Sequence, residues 1–114
     1  MYLINRLKSI FGGGTVAPTR MAAAATMFVP DGAAVVELTG TDTVTSLRAS
    51  AWARNRAVLF RQVSGATTFT NTASATAANQ MDLGIANVTL SATDSMTLFV
   101  RSDGVWERTG NADN

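Results

Sequence analysis

Two absences constrain this chain more than anything it contains: it has no cysteine and no histidine. Without cysteine there are no disulfides, no thiolate metal sites and no thiol nucleophile. Without histidine the commonest metal ligand and the usual general base near neutral pH are missing. Lysine occurs once, as Lys8. Charged residues make up 15% of the 114 positions and the net charge is +1, against roughly 25% charged residues in an average soluble domain. Such a balance gives no long-range attraction for nucleic acid or anionic lipid, so neither partner is expected. A chain this short buries little of its surface, and nature reinforces such domains with disulfides, a metal or self-association. Self-association is the route left open.

Apolar residues are plentiful at 46%, which argues for a folded chain, and they are arranged in three zones. In residues 1–11, Leu3, Ile4, Leu7, Ile10 and Phe11 recur at helical spacing, with Asn5, Arg6, Lys8 and Ser9 on the other face. Gly12 ends that pattern. This predicts an amphipathic docking arm whose contact residues are Tyr2, Leu3, Ile4, Leu7, Ile10 and Phe11. Eleven residues are too few to hold a helix alone in water. Burying the stripe would contribute about 1.5–3 kcal/mol per large side chain, so the arm is expected to take its shape against a partner. The apolar residues precede Arg6 and Lys8, the reverse of a secretory signal. Synthesis in a cytoplasm is the expectation.

Residues 12–30 form a Gly/Ala/Pro spacer: three glycines, Pro18, the alanines 22–25 and Pro30. One or two helical turns could form over 22–27, but no clean cap precedes them, and the extended reading is preferred. The apolar stretch 21–30 is shorter than the ~18–20 residues that span a bilayer.

Residues 31–114 read as a β-rich domain. Short runs of Val, Thr, Leu and Phe recur between Gly, Asn, Asp and Ser, at 33–38, 43–48, 57–63, 67–70, 80–83, 87–90, 95–102 and 105–109. Alternation predicts Met96, Leu98 and Val100 on one face and Thr97, Phe99 and Arg101 on the other. Over 43–48 it sets Val44, Ser46 and Arg48 against Thr45 and Leu47. Asp103-Gly104 predicts a tight hairpin turn. Residues 71–79, all small or polar, read as a surface loop rather than a thin strand packed on a neighbour. The fold class is all-β: a small sandwich, a jelly-roll-like barrel or a short solenoid.

Catalytic chemistry finds little footing. Asp31, Asp42, Asp94 and Asp103 fall at predicted turns, where they cap backbone amides. Glu107 beside Trp106 could line a glycan groove, though an exposed strand face is the preferred account. No D-x-D-x-D run offers calcium ligands, and the three glycines lack the Lys-Ser/Thr of a phosphate loop. A non-enzymatic protein without cofactor or metal is expected. The densest basic patch is Arg48, Arg54, Arg56 and Arg61 around Trp52. Arg with Trp is the composition of interface hot spots, so Arg48, Trp52, Arg54, Arg56 and Trp106 are the interface candidates. The competing reading is solvated charge and, for Trp106, a core anchor.

Six segments together carry a resemblance: Val35-Val36-Glu37-Leu38-Thr39-Gly40, Val44-Thr45-Ser46-Leu47, Arg56-Ala57-Val58-Leu59-Phe60, Met81-Asp82-Leu83-Gly84, Asp94-Ser95-Met96-Thr97-Leu98-Phe99-Val100 and Asp103-Gly104-Val105-Trp106-Glu107-Arg108. This succession resembles a β-rich module of tailed-bacteriophage virion proteins, of the head-decoration, fibre and spike type, over the last 80 or so residues. In that module a Leu-x-Gly strand leads to paired strands and a closing D-G-x-W-x-E hairpin. Arg61 and Gln62 depart from the pattern, and residues 1–30 match nothing in it. The resemblance implies a surface-displayed structural protein on the virion capsid, a homotrimer, with no catalytic residues to carry over. Its partner would be the major capsid protein or another virion protein. The leading expectation is a decoration (cement) protein that staples neighbouring shell subunits through its arm; the alternative is a tail-fibre, head-fibre or spike component binding host glycans.

Overall fold

The computed structural model describes residues 17–84 and 86–112. The expected docking arm and its glycine joint lie outside the described residues. Within them the fold is all-β, and its one helical element is a single 3-10 turn, Ala51–Ala53. Eleven strands follow in order: β1 (Thr19–Ala22), β2 (Thr26–Val29), β3 (Val35–Thr39), β4 (Thr41–Val44), β5 (Ser46–Ala49), β6 (Ala57–Gln62), β7 (Ala66–Phe69), β8 (Met81–Asp82), β9 (Val88–Ser91), β10 (Ser95–Val100) and β11 (Trp106–Ala112). No helix among the described residues is long and apolar enough to cross a membrane.

The strands form three sheets around one core: β1-β3-β6-β10-β11-β8, β2-β5 and β4-β7-β9. Successive passes of the chain lie in parallel register on one another. Thr19 sits beside Val36 and Val35 beside Leu59 in the first sheet, Thr26 beside Ser46 in the second, and Thr41 beside Ala66 in the third. That is a solenoid-like arrangement, in which each pass covers the one before it. A jelly roll pairs antiparallel throughout, and the parallel ladders set that expectation aside. Antiparallel strands finish the winding at one end: β9 on β7, β10 on β6, and β11 on β10.

The first pass begins earlier in the chain than the pattern predicted. Residues 17–30 are extended, as expected of the spacer, but they are also paired into the fold as β1 and β2. Met27 and Val29 point into the core and Thr26 and Phe28 outward. Strands of four residues flanked by an alanine run show too little alternation to be noticed as strands.

A second difference lies at 43–48. Val44 and Leu47 are both fully buried, although strict alternation puts them on opposite faces. The chain turns a corner at Thr45, leaving β4 on one sheet and starting β5 on the next, and the corner resets the side-chain parity. Residues 71–79 are a loop, as read from the sequence. They are nonetheless part of the winding: Asn79 O accepts the Leu47 amide at 3.1 Å.

The core is built from Val36, Leu38, Val58, Phe60, Met96, Leu98, Met81 and Trp106 of the large sheet, Val44, Phe69 and Leu90 of the three-stranded sheet, and Met27, Val29 and Leu47 of the small one. Phe60 joins them, meeting Phe69 edge-on at 5.5 Å and Trp106 at 5.9 Å; such pairs add about 0.5–1.5 kcal/mol beyond the area they bury. The corner between the first and third sheets is made by stacked glycines. Gly40 and Gly65 have φ of +83° and +79°. The buried Gln62 donates from Nε2 to Gly40 O at 3.1 Å and to Ser64 O at 2.6 Å, binding the two corners together.

A Cβ on Gly65 would lie 2.2 Å from Gly40 O, whereas one on Gly32, at φ +84°, meets open space. Gly32→Ala should therefore cost about 1 kcal/mol, the backbone strain alone. Gly65→Ala should cost at least about 3 kcal/mol, since a backbone carbonyl of the neighbouring pass must move as well. Paired urea melts measure the difference.

Candidate functional site

The sequence gathered Arg48, Trp52, Arg54, Arg56 and Arg61 into one patch. In the fold, Trp52, Arg54 and Arg56 meet at one corner, the turn that carries the chain from β5 to β6. Ser50 starts it: its Oγ accepts the Trp52 amide at 3.3 Å and donates to the Asp31 carboxylate. Ala53 and Arg54 then bond back to Ser50 O and Ala51 O, each at 3.1 Å, closing the 3-10 turn. Asn55, at φ 62°, reverses the chain and donates to Val100 O at 2.6 Å. Asn takes this left-handed conformation more readily than most residues.

The turn sets the arginines. Arg56 Nε donates to Trp52 O at 2.8 Å, and its guanidinium lies 4.9 Å from the centre of the Trp52 ring. Trp52 is half-buried and packs on the core with the rest of its surface. Arg54 Nη1 donates to Ser102 O at 2.6 Å, tying this corner to the β10–β11 hairpin. Arg48 lies one strand earlier, on the outer face of β5, register partner to Phe28 of β2. Phe28 is 56% exposed. The sequence reading missed it, because Phe28 fell inside the supposed spacer, in a run of three apolar residues with no alternation to mark its face. Arg48, Arg54 and Arg56 form no ion pair among the described residues.

Two candidates leave the patch. Arg61 lies at the far end of β6, roughly 17 Å along the strand from Arg56 at ~3.3 Å per residue, in register with Glu37 and Ser95. Trp106 is 1% exposed and packs on Phe60, so its ring presents nothing to a partner. The first residue of β11 points inward because the hairpin places it opposite Val100.

That hairpin is the second charged locus. Gly104, at φ 87°, follows a tight turn in which its amide donates to Arg101 O at 2.9 Å, while Arg101 donates back to Val105 O at 2.8 Å. Arg101 pairs with Asp103 at 2.6 Å and approaches Glu107 at 4.0 Å. Asp82 is the register partner of Glu107, so the fold does bring two carboxylates side by side, which the sequence did not foretell. Arg101 stands among them as counter-charge, its own proton held more tightly by the Asp103 hydrogen bond and by the nearby acids. The Arg101 hydrogen bond, followed by the Val105 amide at 3.0 Å, holds the Asp103 carboxyl below its usual range. Glu37 is engaged elsewhere, with Arg20 at 2.9 Å. No group of three metal-ligating side chains occurs among the described residues.

No protein family, curated protein or solved structure matches this chain. The virion resemblance accordingly stands on the sequence motifs themselves.

The Asp103 contact has a pH signature. A carboxyl lowered in the folded state contributes stability that is complete above its ordinary range and is lost as pH falls through the lowered value. Wild type and Asp103→Asn should differ in Tm by a constant margin from neutral pH to about pH 4, and the margin should close below that. A pair of thermal melts across pH 2.5–7 checks it.

Proposed function

We propose that this protein is a phage capsid decoration (cement) protein, a rigid β body that staples neighbouring shell subunits through its N-terminal arm. The observation that carries the reading is a contrast within one chain. From Thr19 onward every strand is packed around an aromatic-centred core. Ahead of that body, eleven residues hold Leu3, Ile4, Leu7, Ile10 and Phe11, joined to it through Gly12, Gly13 and Gly14. An apolar stripe on a glycine joint fits a groove in another protein.

The corner patch supplies a second, weaker contact. Arg54 and Arg56 at the turn, and Arg48 beside exposed Phe28, suit an acidic protein surface with an apolar recess, and they give it an approach rate that falls with salt. Arms acting together on one oligomeric body yield avidity that a single arm lacks.

The glycan-binding fibre or spike reading, which would stack a sugar on Trp52 or Trp106, has less support. Trp106 is enclosed in the core, and one face of Trp52 is covered by Arg56. A hydrolase reading would rest on Asp82 and Glu107, whose charge Arg101 already answers.

Deleting residues 1–11 should abolish co-sedimentation with purified capsid shells while far-UV circular dichroism and Tm of the β body stay unchanged; retained shell binding would reject the staple. Arg48→Glu with Arg54→Glu should instead weaken binding by about tenfold, a loss of roughly 1.4 kcal/mol, and flatten its dependence on ionic strength.

A further inference from the structure

The first pass of the winding ends two sheets at once. β1 is the outermost strand of the six-stranded sheet, and β2 is the outer member of the two-stranded one. In a parallel pair, alternate residues turn their backbone groups toward the neighbour. The Ala23 amide donates to Thr39 O at 2.8 Å, so Thr19 and Met21 also face β3, and the amides and carbonyls of Arg20 and Ala22 face the open side. Ala25 O receives the amides of Thr45 and Ser46 at 2.8 and 3.1 Å. By the same parity Met27 and Val29 face β5, while the backbone groups of Thr26 and Phe28 face outward.

Open edges are ordinarily guarded by lysine, a central proline, a bulge or an inward charge. This one is bare. Between Pro18 and Pro30 the chain places four alanines in succession, and its single charge, Arg20, is tied down to Glu37 of its own molecule at 2.9 Å. The β1–β3 register runs without a bulge. Phe28 is 56% exposed on the same pass, and Met21 and Ala24 are only partly covered where the core ends.

We propose that this edge is a contact between two copies of the chain, with β1 pairing antiparallel to the β1 of the second copy about a twofold axis. A second copy fits in its side chains as well as its backbone. With Met21 opposite Met21, the half-covered methionines meet on the core side and close the end of the hydrophobic core. Arg20 of each copy then lies opposite Ala22 of the other on the outer side, long against small, with no like charges directly opposed. The seam is electrically neutral because each Arg20 is already balanced by Glu37. A domain without disulfides gains in this way the reinforcement its size calls for. The contact is isologous and closes on itself, so the assembly it builds has two copies, not the three of the sequence expectation. It stands on the edge geometry alone and does not depend on the capsid reading.

Sedimentation velocity of the full chain over a hundredfold concentration range, with amide exchange followed by NMR, tests the contact. The expected result is a reversible monomer–dimer equilibrium in which the amides of Arg20 and Ala22 gain protection as dimer forms. Ala22→Pro removes an N–H that no bond among the described residues uses, the strand position that tolerates proline. It should abolish the dimer with Tm unchanged. Ala22→Lys, which sets a like charge directly opposite Arg20 of the second copy, should shift the equilibrium at least tenfold toward monomer. A chain that stays monomeric throughout, a trimer, or a dimer indifferent to both substitutions would overturn the proposal. So would a monomer whose Arg20 and Ala22 amides are already protected, which would place residues preceding Ala17 on the edge instead.

Discussion

The rest of the structure depends on one constraint: each pass of the chain must present its backbone to the pass before it in parallel register while its alternate side chains meet at a shared centre. Phe60 is where that requirement is concentrated. It lies on β6, between β3 and β10 in the large sheet, and its ring touches Phe69 of the three-stranded sheet and Trp106 of the closing hairpin. Three sheets are thereby held to one core. Moving β6 by one residue would turn Val58, Phe60 and Gln62 outward together, since the side-chain period in a strand is two. The register is thus set by the hydrophobic effect and only read out by the hydrogen bonds.

The same constraint explains the glycines and the polar core residue. Stacked passes bring their corners into contact, and at the Gly40–Gly65 corner a side chain on Gly65 would run into the Gly40 carbonyl. Gln62 is fully buried there because its amide answers carbonyls that the tight corner leaves turned inward. Its Nε2 thereby links adjacent layers, while its Oε1 is buried with no donor among the described residues.

The surface chemistry follows from where the corners fall. Corners are where a strand-built chain can display long side chains without disturbing a sheet, and Trp52, Arg54 and Arg56 sit on one. The Arg101–Asp103–Glu107 cluster sits on another, at the hairpin. Among the described residues, one end of the winding is finished by antiparallel strands and the other is left as a parallel edge. That asymmetry puts the attachment point of residues 1–16 and the outward-facing backbone of β1 at the same end of the molecule.

Composition and local pattern determined the all-β class, most strand positions from 33 onward, the Asp103-Gly104 turn and the turn roles of Asp94 and Asp103, because each depends on neighbours in sequence. The inward face of β10 was legible for the same reason: Met96, Leu98 and Val100 alternate without interruption. Tertiary structure alone decided the rest. It made strands of Thr19–Ala22 and Thr26–Val29, put Val44 and Leu47 on the same side of a corner, separated Arg61 from Arg56, enclosed Trp106, exposed Phe28, and set Asp82 beside Glu107. Each of these depends on which pass lies on which, and parallel pairing joins residues far apart in the chain, a relation that no local periodicity encodes.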